Sequence, residues 1–205
     1  MKKQISILTF LVFVLCSGSA VFAAPMTFID QGDSWNYQQF SSPDLWADWA
    51  NAGIDSFDWV NATWSTGDAA FGNAYSLPYN TEWDAGTDLA LIKTFTIDGG
   101  LTGNLTLNVA SDNGFIVFVN GSQVAKENAE GYTSYWEYNF SLLSDPFLAP
   151  GENLVQVLAE DHGGATFFDM KLSGDVAPVP EPSTILLLGT GLLGLGWYGR
   201  KRKKV

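Results

Sequence analysis

The chain has 205 residues, with 22 acidic residues against ten lysines and arginines, and a formal net charge of −12. Between residues 24 and 176 only three cations face 21 acidic residues, which gives a formal charge of −18. A surface of that sign repels phosphate backbones, so the composition argues against nucleic-acid binding. The length suffices for one domain of medium size flanked by targeting segments.

Residues 1–23 have the pattern of a secretory signal peptide. Two lysines precede an apolar stretch from residue 5 to 15, and small residues then lead to Ala23. We therefore predict cleavage by signal peptidase after Ala23 and export of the remaining chain. Cys16, the only cysteine, leaves with this segment, so we expect neither a disulfide nor a cysteine-ligated metal in the mature protein.

Strand patterns dominate the segment 24–176, which we predict to be one domain. Apolar and polar residues alternate from Leu105 to Val109 and from Phe168 to Leu172, and Leu154–Glu160 follows a turn. The one candidate helix is Pro43–Ala52. Short strands separated by glycine, asparagine and proline predict an all-β fold, an antiparallel β-sandwich.

The clearest local prediction is a hairpin at the Asn-Gly pair that follows the apolar run Phe115–Val119. Asn-Gly is typical of a two-residue hairpin turn, because both residues of that turn adopt positive φ. Such a loop places Val119 opposite Ser122. The next pair on the same face is then Val117 with Val124.

Seven short motifs follow one another through this domain: Trp35, Phe57 to Trp59, Trp64 to Gly72, Leu91 to Phe95, Ser111 to Gly121, Pro150 to Val155 and Gly163 to Asp169. In this order they resemble the galactose-binding-like jelly rolls that occur beside bacterial hydrolases and on surface proteins. The resemblance implies a jelly-roll sandwich and, more loosely, carbohydrate binding. A fold does not by itself determine a function.

Four tryptophans that lie among polar residues are candidates for ligand binding: Trp46, Trp49, Trp83 and Trp136. An indole ring can stack on the apolar face of a sugar and bury a large area at low entropic cost. The alternative is core packing, because a sandwich without disulfides needs large apolar side chains. We expect that second role for Trp35, Trp59 and Trp64.

Asp112, Asp161 and Asp169 are the candidate ligands of a structural Ca²⁺, since hard cations prefer oxygen ligands. Jelly rolls of the type that the chain resembles often carry this ion. The spacing is not that of an EF-hand, and the alternative is that these side chains cap turns by accepting hydrogen bonds from nearby backbone N–H groups. We expect no other cofactor.

The sequence predicts a protein that is not an enzyme. His162 is the only histidine, which leaves no histidine-rich zinc site, and no nucleophile motif accompanies it. A carboxylate pair of the glycosidase type is an alternative, because 21 acidic residues offer many pairs at a separation of about 5 to 9.5 Å.

The segment 177–205 differs in composition from the acidic domain that precedes it. A Pro-Glu-Pro step is followed by an apolar stretch rich in glycine and leucine, and five consecutive cations come next. We predict that the apolar stretch forms a single transmembrane helix. Counted from Ser183 to Tyr198 it would be about 24 Å long, which is short compared with a hydrocarbon core of about 30 Å. Long basic side chains can reach the interface, and the positive-inside rule keeps this C-terminus in the cytoplasm. Hydropathy alone would favour a permanent anchor.

These parts closely resemble the PEP-CTERM sorting signal, which is recognised by exosortase, a membrane-embedded cysteine protease of bacteria that make exopolysaccharide. The resemblance implies transient anchoring in the inner membrane, processing, and then release or transfer to the cell surface. Prolines keep the step extended, so a protease at the membrane face can reach it. The residues concerned are Pro180, Glu181, Pro182, Arg200, Lys201, Arg202, Lys203 and Lys204.

Three functions are compatible with these patterns. The preferred one is an exported, exosortase-processed protein of the cell surface or extracellular matrix, whose non-catalytic domain contacts exopolysaccharide. The second is a structural or assembly module that binds proteins or itself, and the third is a small glycoside-active enzyme. The partners expected for the first are signal peptidase, exosortase, the inner membrane transiently and exopolysaccharide.

Overall fold

The computed structural model describes residues 24–41, 45–73, 76–98, 101–128, 135–142, 148–176, 189–194 and 196, without the side chains of 46 and 101–104. Twelve strands lie within these ranges. They are β1 (Ala24–Ile29), β2 (Ser34–Phe40), β3 (Ser65–Asp68), β4 (Phe71–Asn73), β5 (Thr81–Glu82), β6 (Asp88–Ile97), β7 (Leu101–Asp112), β8 (Phe115–Val119), β9 (Ser122–Glu127), β10 (Tyr138–Leu142), β11 (Gly151–Ala159) and β12 (Thr166–Val176). Two 3-10 helices span Leu45–Asp48 and Ile54–Ser56.

The strands form two sheets of six, which confirms the predicted all-β sandwich. In the first sheet the order is β10-β7-β12-β4-β5, with β1 also beside β12; in the second it is β3-β2-β6-β11-β8-β9. The chain passes from one sheet to the other at every connection except β2–β3, β4–β5 and β8–β9, where both strands belong to the same sheet. The β4–β5 pair is parallel, and the other described pairs are antiparallel.

Strand β12 lies at the centre of the first sheet and has β7 along one side. On its other side β4 pairs with Thr166–Phe168 and β1 with the residues from Leu172 onward. The first and last strands of the domain therefore lie side by side, with Ala24 opposite Val176.

The main core lies between the sheets and follows from period-two alternation, since successive side chains of a strand point to opposite faces. Leu107 and Val109 of β7 point inward and are fully buried, as are Met170 of β12 and Val157 of β11. Burial of each such side chain contributes about 1.5–3 kcal/mol relative to exposure. Asn108, between two inward residues of β7, consequently points to the outer face of the first sheet.

Strands β8 and β11 are buried on both faces, which explains why β8 is an uninterrupted apolar run. The segment from Leu45 to Trp64 covers the outer face of the second sheet, where a second apolar cluster contains Phe118. Lys126 of β9 fastens this cover, because its ammonium donates hydrogen bonds to the carbonyls of Trp49 and Ala52 at 2.5 and 2.8 Å.

The predicted hairpin between β8 and β9 is present, with one difference in register. Its turn residues have φ values of 49° and 80°, and Val119 lies opposite Ser122 as predicted. Val117 pairs with Ala125 and not with Val124, so that prediction is wrong by one position. Val124 is the extra residue of a β-bulge, and the shift turns Ala125 into the core.

Several predicted segments extend beyond the described residues. The helix predicted for Pro43–Ala52 is a 3-10 helix of four residues, and part of its predicted range is not described. The signal peptide 1–23 and most of the tail 177–205 also lie outside the described part, apart from helical residues at 189–194 and 196. In the part that is described, no helix has the length and apolar character needed to span a bilayer.

Candidate functional site

A depression of 240 Å³ opens on the outer face of the first sheet. Its lining residues are Gln31, Asn108, Trp136 and Lys171. Asn108 of β7 and Lys171 of β12 are cross-strand partners, Gln31 lies in the turn between β1 and β2, and Trp136 precedes β10. Four distant parts of the sequence thus bring an indole, two carboxamides and an ammonium group together.

Tyr135 and Trp136 lie over this face and are held there by three kinds of contact. The Tyr135 hydroxyl accepts a hydrogen bond from Gln31 Nε2 at 2.7 Å, and its ring packs edge-on against Phe167 with centroids 5.5 Å apart. The Tyr135 and Trp136 rings are themselves 5.3 Å apart. Trp136 has a φ of 59°, a conformation that costs a non-glycine residue on the order of 1–2 kcal/mol. Tertiary contacts therefore fix the direction of the indole.

Asp169 is buried beneath this arrangement, two residues before Lys171 on the same face of β12. Its Oδ1 accepts hydrogen bonds from the backbone N–H groups of Met170 at 2.8 Å and Gly32 at 3.5 Å. Burial raises the pKa of this carboxyl to about 7 despite those two bonds, and the nearby charges of Asp33 and Asp30 add to the shift. Asp169 is thus a carboxyl group that titrates near neutral pH.

The neighbouring acids differ from Asp169 because each has a counter-ion. Asp30 contacts the Lys171 ammonium at 2.8 Å, and Asp33 contacts that of Lys93 at 3.3 Å. Lys171 accordingly lowers the pKa of Asp30 by hydrogen bonding. In the described part of the chain, Asp169 takes part in no ion pair.

A second polar cluster joins the loops at one end of the sandwich. Glu160, which is fully buried, contacts the imidazole Nε2 of His162, and the His162 backbone N–H donates to Asn113 Oδ1 at 2.9 Å. Asp161 Oδ2 accepts hydrogen bonds from the N–H groups of Gly86 at 2.5 Å and Gly163 at 2.9 Å. These groups fasten the loops that precede β6, β8 and β12.

The three candidate tryptophans whose side chains are described, Trp49, Trp83 and Trp136, do not form one site. Trp83 is completely buried in the main core, and its indole N–H donates to the carbonyl of Thr87 at 2.8 Å, so the prediction of a surface role is wrong for it. Trp49 packs into the cover of the second sheet beneath Lys126. The side chain of Trp46 lies outside the described part. Only Trp136 of the described candidates lines the depression.

The three aspartates proposed for calcium do not form a metal-binding group in the described part of the chain. Within the described ranges, no group of three acidic, histidine or cysteine side chains is placed to hold a metal ion. Asp161 and Asp169 accept backbone N–H hydrogen bonds, which is the alternative role that the sequence offered. Asp112 is the last residue of β7 and pairs with Phe167 of β12. Calcium binding stays a prediction, and the described side chains do not form a site for the ion.

Sequence reasoning missed the other lining residues, Gln31, Asn108 and Lys171. Asn108 and Lys171 occupy outward positions of alternating strands, a pattern that also describes ordinary solvated residues. The signal that distinguishes them is their cross-strand pairing, and the pairing of β7 with β12 is not local in sequence.

Among solved structures, a β-glucuronidase from Ruminococcus gnavus in complex with D-glucuronic acid is 12% identical with a TM-score of 0.47, and the match covers 77% of this chain and 30% of that one. Its apo structure gives 11% identity and 0.47 over the same shares. The chain thus spans under a third of those proteins, and a similarity of this size says nothing about its function. A comparison with curated proteins gives no significant match.

The C-terminal segment matches a known protein family. Residues 178–203 match the family described as the PEP-CTERM protein-sorting motif. The matched range contains the Pro-Glu-Pro step at 180–182 and four of the five terminal cations, from Arg200 to Lys203. These residues lie outside the described part of the chain, as do Ala23 and Lys204. The motif implies export, membrane-anchored processing by exosortase and a final location at the cell surface. This chain carries a PEP-CTERM protein-sorting motif and is, by that motif, an exosortase substrate.

Proposed function

We propose that the chain is a protein of the cell surface or extracellular matrix whose β-sandwich is a non-catalytic carbohydrate-binding domain associated with the exopolysaccharide of a biofilm. Signal peptidase removes residues 1–23, and the tail then holds the protein in the inner membrane with its basic end in the cytoplasm. Exosortase cuts near the Pro-Glu-Pro step, and the domain reaches the outside. The sorting motif supports this route.

The depression beside Trp136 is the observation that supports saccharide binding most directly. A saccharide site needs an aromatic face for the apolar side of the sugar ring and a few polar groups that hydrogen-bond to its hydroxyls. Trp136 offers the first, and the Gln31 and Asn108 carboxamides offer the second. The indole is half-buried and fixed by its neighbours, so little conformational entropy is lost when a ligand stacks on it.

The groups around the depression favour binding over catalysis. A glycosidase of the usual kind places two carboxyl groups on either side of the scissile bond. Here the Asp30 carboxylate is engaged by Lys171, and Asp169 is buried with its Oδ1 held by two backbone N–H groups. We therefore propose a domain that holds a polymer without cleaving it.

Trp136→Ala is expected to weaken polysaccharide binding about tenfold, because one aromatic stacking contact contributes about 0.5–1.5 kcal/mol beyond its buried area. The measurement is retardation of the protein from producing cells in native gels that contain neutral or acidic polysaccharides. Trp64→Ala, on the outer face of the other sheet, is the matched control and should keep wild-type retardation.

Two results would contradict this function. If the wild-type protein migrates unretarded in every polymer, the domain is no saccharide-binding module. If Trp136→Ala is retarded as strongly as wild type, binding occurs elsewhere. Cross-linking in the producing cells that yields protein neighbours and no polysaccharide would favour the assembly module instead.

A further inference from the structure

We infer that the depression beside Trp136 takes an uncharged saccharide, whose hydroxyl groups donate hydrogen bonds to two carboxamide oxygens. The oxygens are those of Gln31 and Asn108, which both line the depression. Tyr135 and Asn139 are the positioning residues that orient the two carboxamides. This inference rests on the proposed function and names the chemical class of the ligand and the groups that recognise it.

The carboxamide of Gln31 is held at its nitrogen. Its Nε2 donates a hydrogen bond to the Tyr135 hydroxyl at 2.7 Å, and the Tyr135 ring is packed edge-on against Phe167. In the described part of the chain, no hydrogen bond reaches Gln31 Oε1. Because the oxygen and nitrogen of a carboxamide lie in one plane on the same carbon, holding the nitrogen limits the directions that this acceptor can take.

The carboxamide of Asn108 is held in the same way from the neighbouring strand. Asn108 of β7 and Asn139 of β10 are cross-strand partners, and Asn108 Nδ2 donates a hydrogen bond to Asn139 Oδ1. Among the described residues, none donates a hydrogen bond to Asn108 Oδ1. Asn139 Nδ2 in turn donates to the backbone carbonyls of Trp136 and Glu137 at 3.3 and 3.4 Å. Asn139 therefore links this acceptor to the segment that carries the indole.

The charge at the depression is balanced, which favours an uncharged ligand. Of the described lining residues Lys171 is the only charged one, and its ammonium contacts the Asp30 carboxylate at 2.8 Å. A cationic sugar would meet this ammonium, and an anionic sugar would meet Asp30 beside it. The formal charge of −18 between residues 24 and 176 repels polyanions as well. A neutral sugar avoids these repulsions.

The first test compares ligands by calorimetry near pH 7, with the protein recovered from producing cells. The probes are tetramers of glucose, galactose and galacturonate, together with fully O-methylated forms of the two neutral tetramers. We expect binding of a neutral tetramer, and binding of the galacturonate tetramer that is about tenfold weaker or absent. Methylation keeps the sugar rings and removes every hydroxyl donor, so the methylated form should also bind about tenfold more weakly.

The second test removes the hydroxyl that orients Gln31. Tyr135→Phe keeps the ring that packs against Phe167 and loses the acceptor of Gln31 Nε2, so we expect binding of the neutral tetramer to weaken about fivefold. Tyr79→Phe, which removes the hydroxyl of an exposed tyrosine outside the depression, should bind like wild type. The effect of Tyr135→Phe should disappear in a Gln31→Ala background, because Tyr135 acts through Gln31.

A pair of substitutions tests Asn139. Asn139→Ala removes the acceptor of Asn108 Nδ2 and the two bonds to backbone carbonyls, and it should weaken binding about fivefold. Asn139→Asp keeps the acceptor, so it should retain most of the affinity that Asn139→Ala loses. Asn139 is exposed, so both variants should keep a urea midpoint close to that of wild type.

Each contrary result overturns a stated part of the inference. Equal affinity for methylated and unmethylated tetramers would overturn recognition through hydroxyl donors. Galacturonate binding that depends on Trp136 and is as tight as neutral binding would overturn the ligand class. Equal effects of Tyr135→Phe with and without Gln31→Ala, or of Asn139→Asp and Asn139→Ala, would overturn the positioning role of that residue. Absence of binding by every tetramer would overturn the proposed function itself.

Discussion

Asp169→Asn is expected to stabilise the protein by about 4 kcal/mol above pH 7 and to leave its stability near pH 4 unchanged. The pKa of this carboxyl rises from its ordinary value near 3.8 to about 7 in the folded state, chiefly because the group is buried. Between these values the folded protein binds more protons than the unfolded chain, so wild-type stability falls as the pH rises. At about 1.36 kcal/mol per pH unit, the loss reaches about 4 kcal/mol above pH 7. Asparagine is neutral at every pH, so the variant does not lose this stability.

The measurement is urea unfolding of wild type and variant from pH 4 to pH 8. Asparagine keeps a carbonyl oxygen where Asp169 Oδ1 accepts hydrogen bonds from Met170 and Gly32, so the substitution removes a charge and not an acceptor. Asp55→Asn is the control for the loss of an exposed acid. Parallel pH profiles for wild type and Asp169→Asn would mean that this carboxyl is ionised in the folded protein without cost.

Trp83→Ala is expected to lower the free energy of unfolding by about 3–5 kcal/mol, the usual cost of removing a large aromatic side chain from a core. The ring has no solvent exposure, and it packs into the main core between the sheets. Its loss also leaves the Thr87 carbonyl without the indole N–H donor. The change in urea midpoint at constant slope measures the effect.

Two further variants separate the core role from a surface role. Trp83→Phe keeps an aromatic ring and loses only the indole N–H, so it should cost less than Trp83→Ala. Trp136→Ala removes a half-buried ring and should affect unfolding less than Trp83→Ala does. If Trp83→Ala unfolded like wild type but lost saccharide binding, the surface role of Trp83 would be restored.

The sequence predicts best what is decided locally. The Asn-Gly pair defines the β8–β9 turn because both positions need positive φ, and alternating residues define β7 and β12. The tail is also local, since its three parts follow one another along the chain. The bulge at Val124 was not predicted, because it depends on how β8 and β9 pack into the sandwich. The local sequence pattern carries no information on that packing.

The candidate site was largely beyond prediction because it is assembled from distant segments. Gln31 and Trp136 are separated by more than 100 positions, and they meet because the β1–β2 turn and the segment before β10 both lie over the first sheet. The burial of Trp83 was not predicted for the same reason. Trp83 stands among polar residues in sequence, yet the β5–β6 connection folds it inward and makes it a core residue. Trp83 and Trp136 differ in burial, which depends on how distant segments pack and not on their local sequences.

The central claim is that the C-terminal tail is a sorting signal that is removed by proteolysis and that the domain acts outside the cell. Intact-mass spectrometry of protein collected outside the producing cells tests it most directly. We predict a chain that begins at Ala24, ends close to the Pro-Glu-Pro step at 180–182 and lacks the terminal cations Arg200 to Lys204. Extracellular protein that still carries these five cations would contradict the claim.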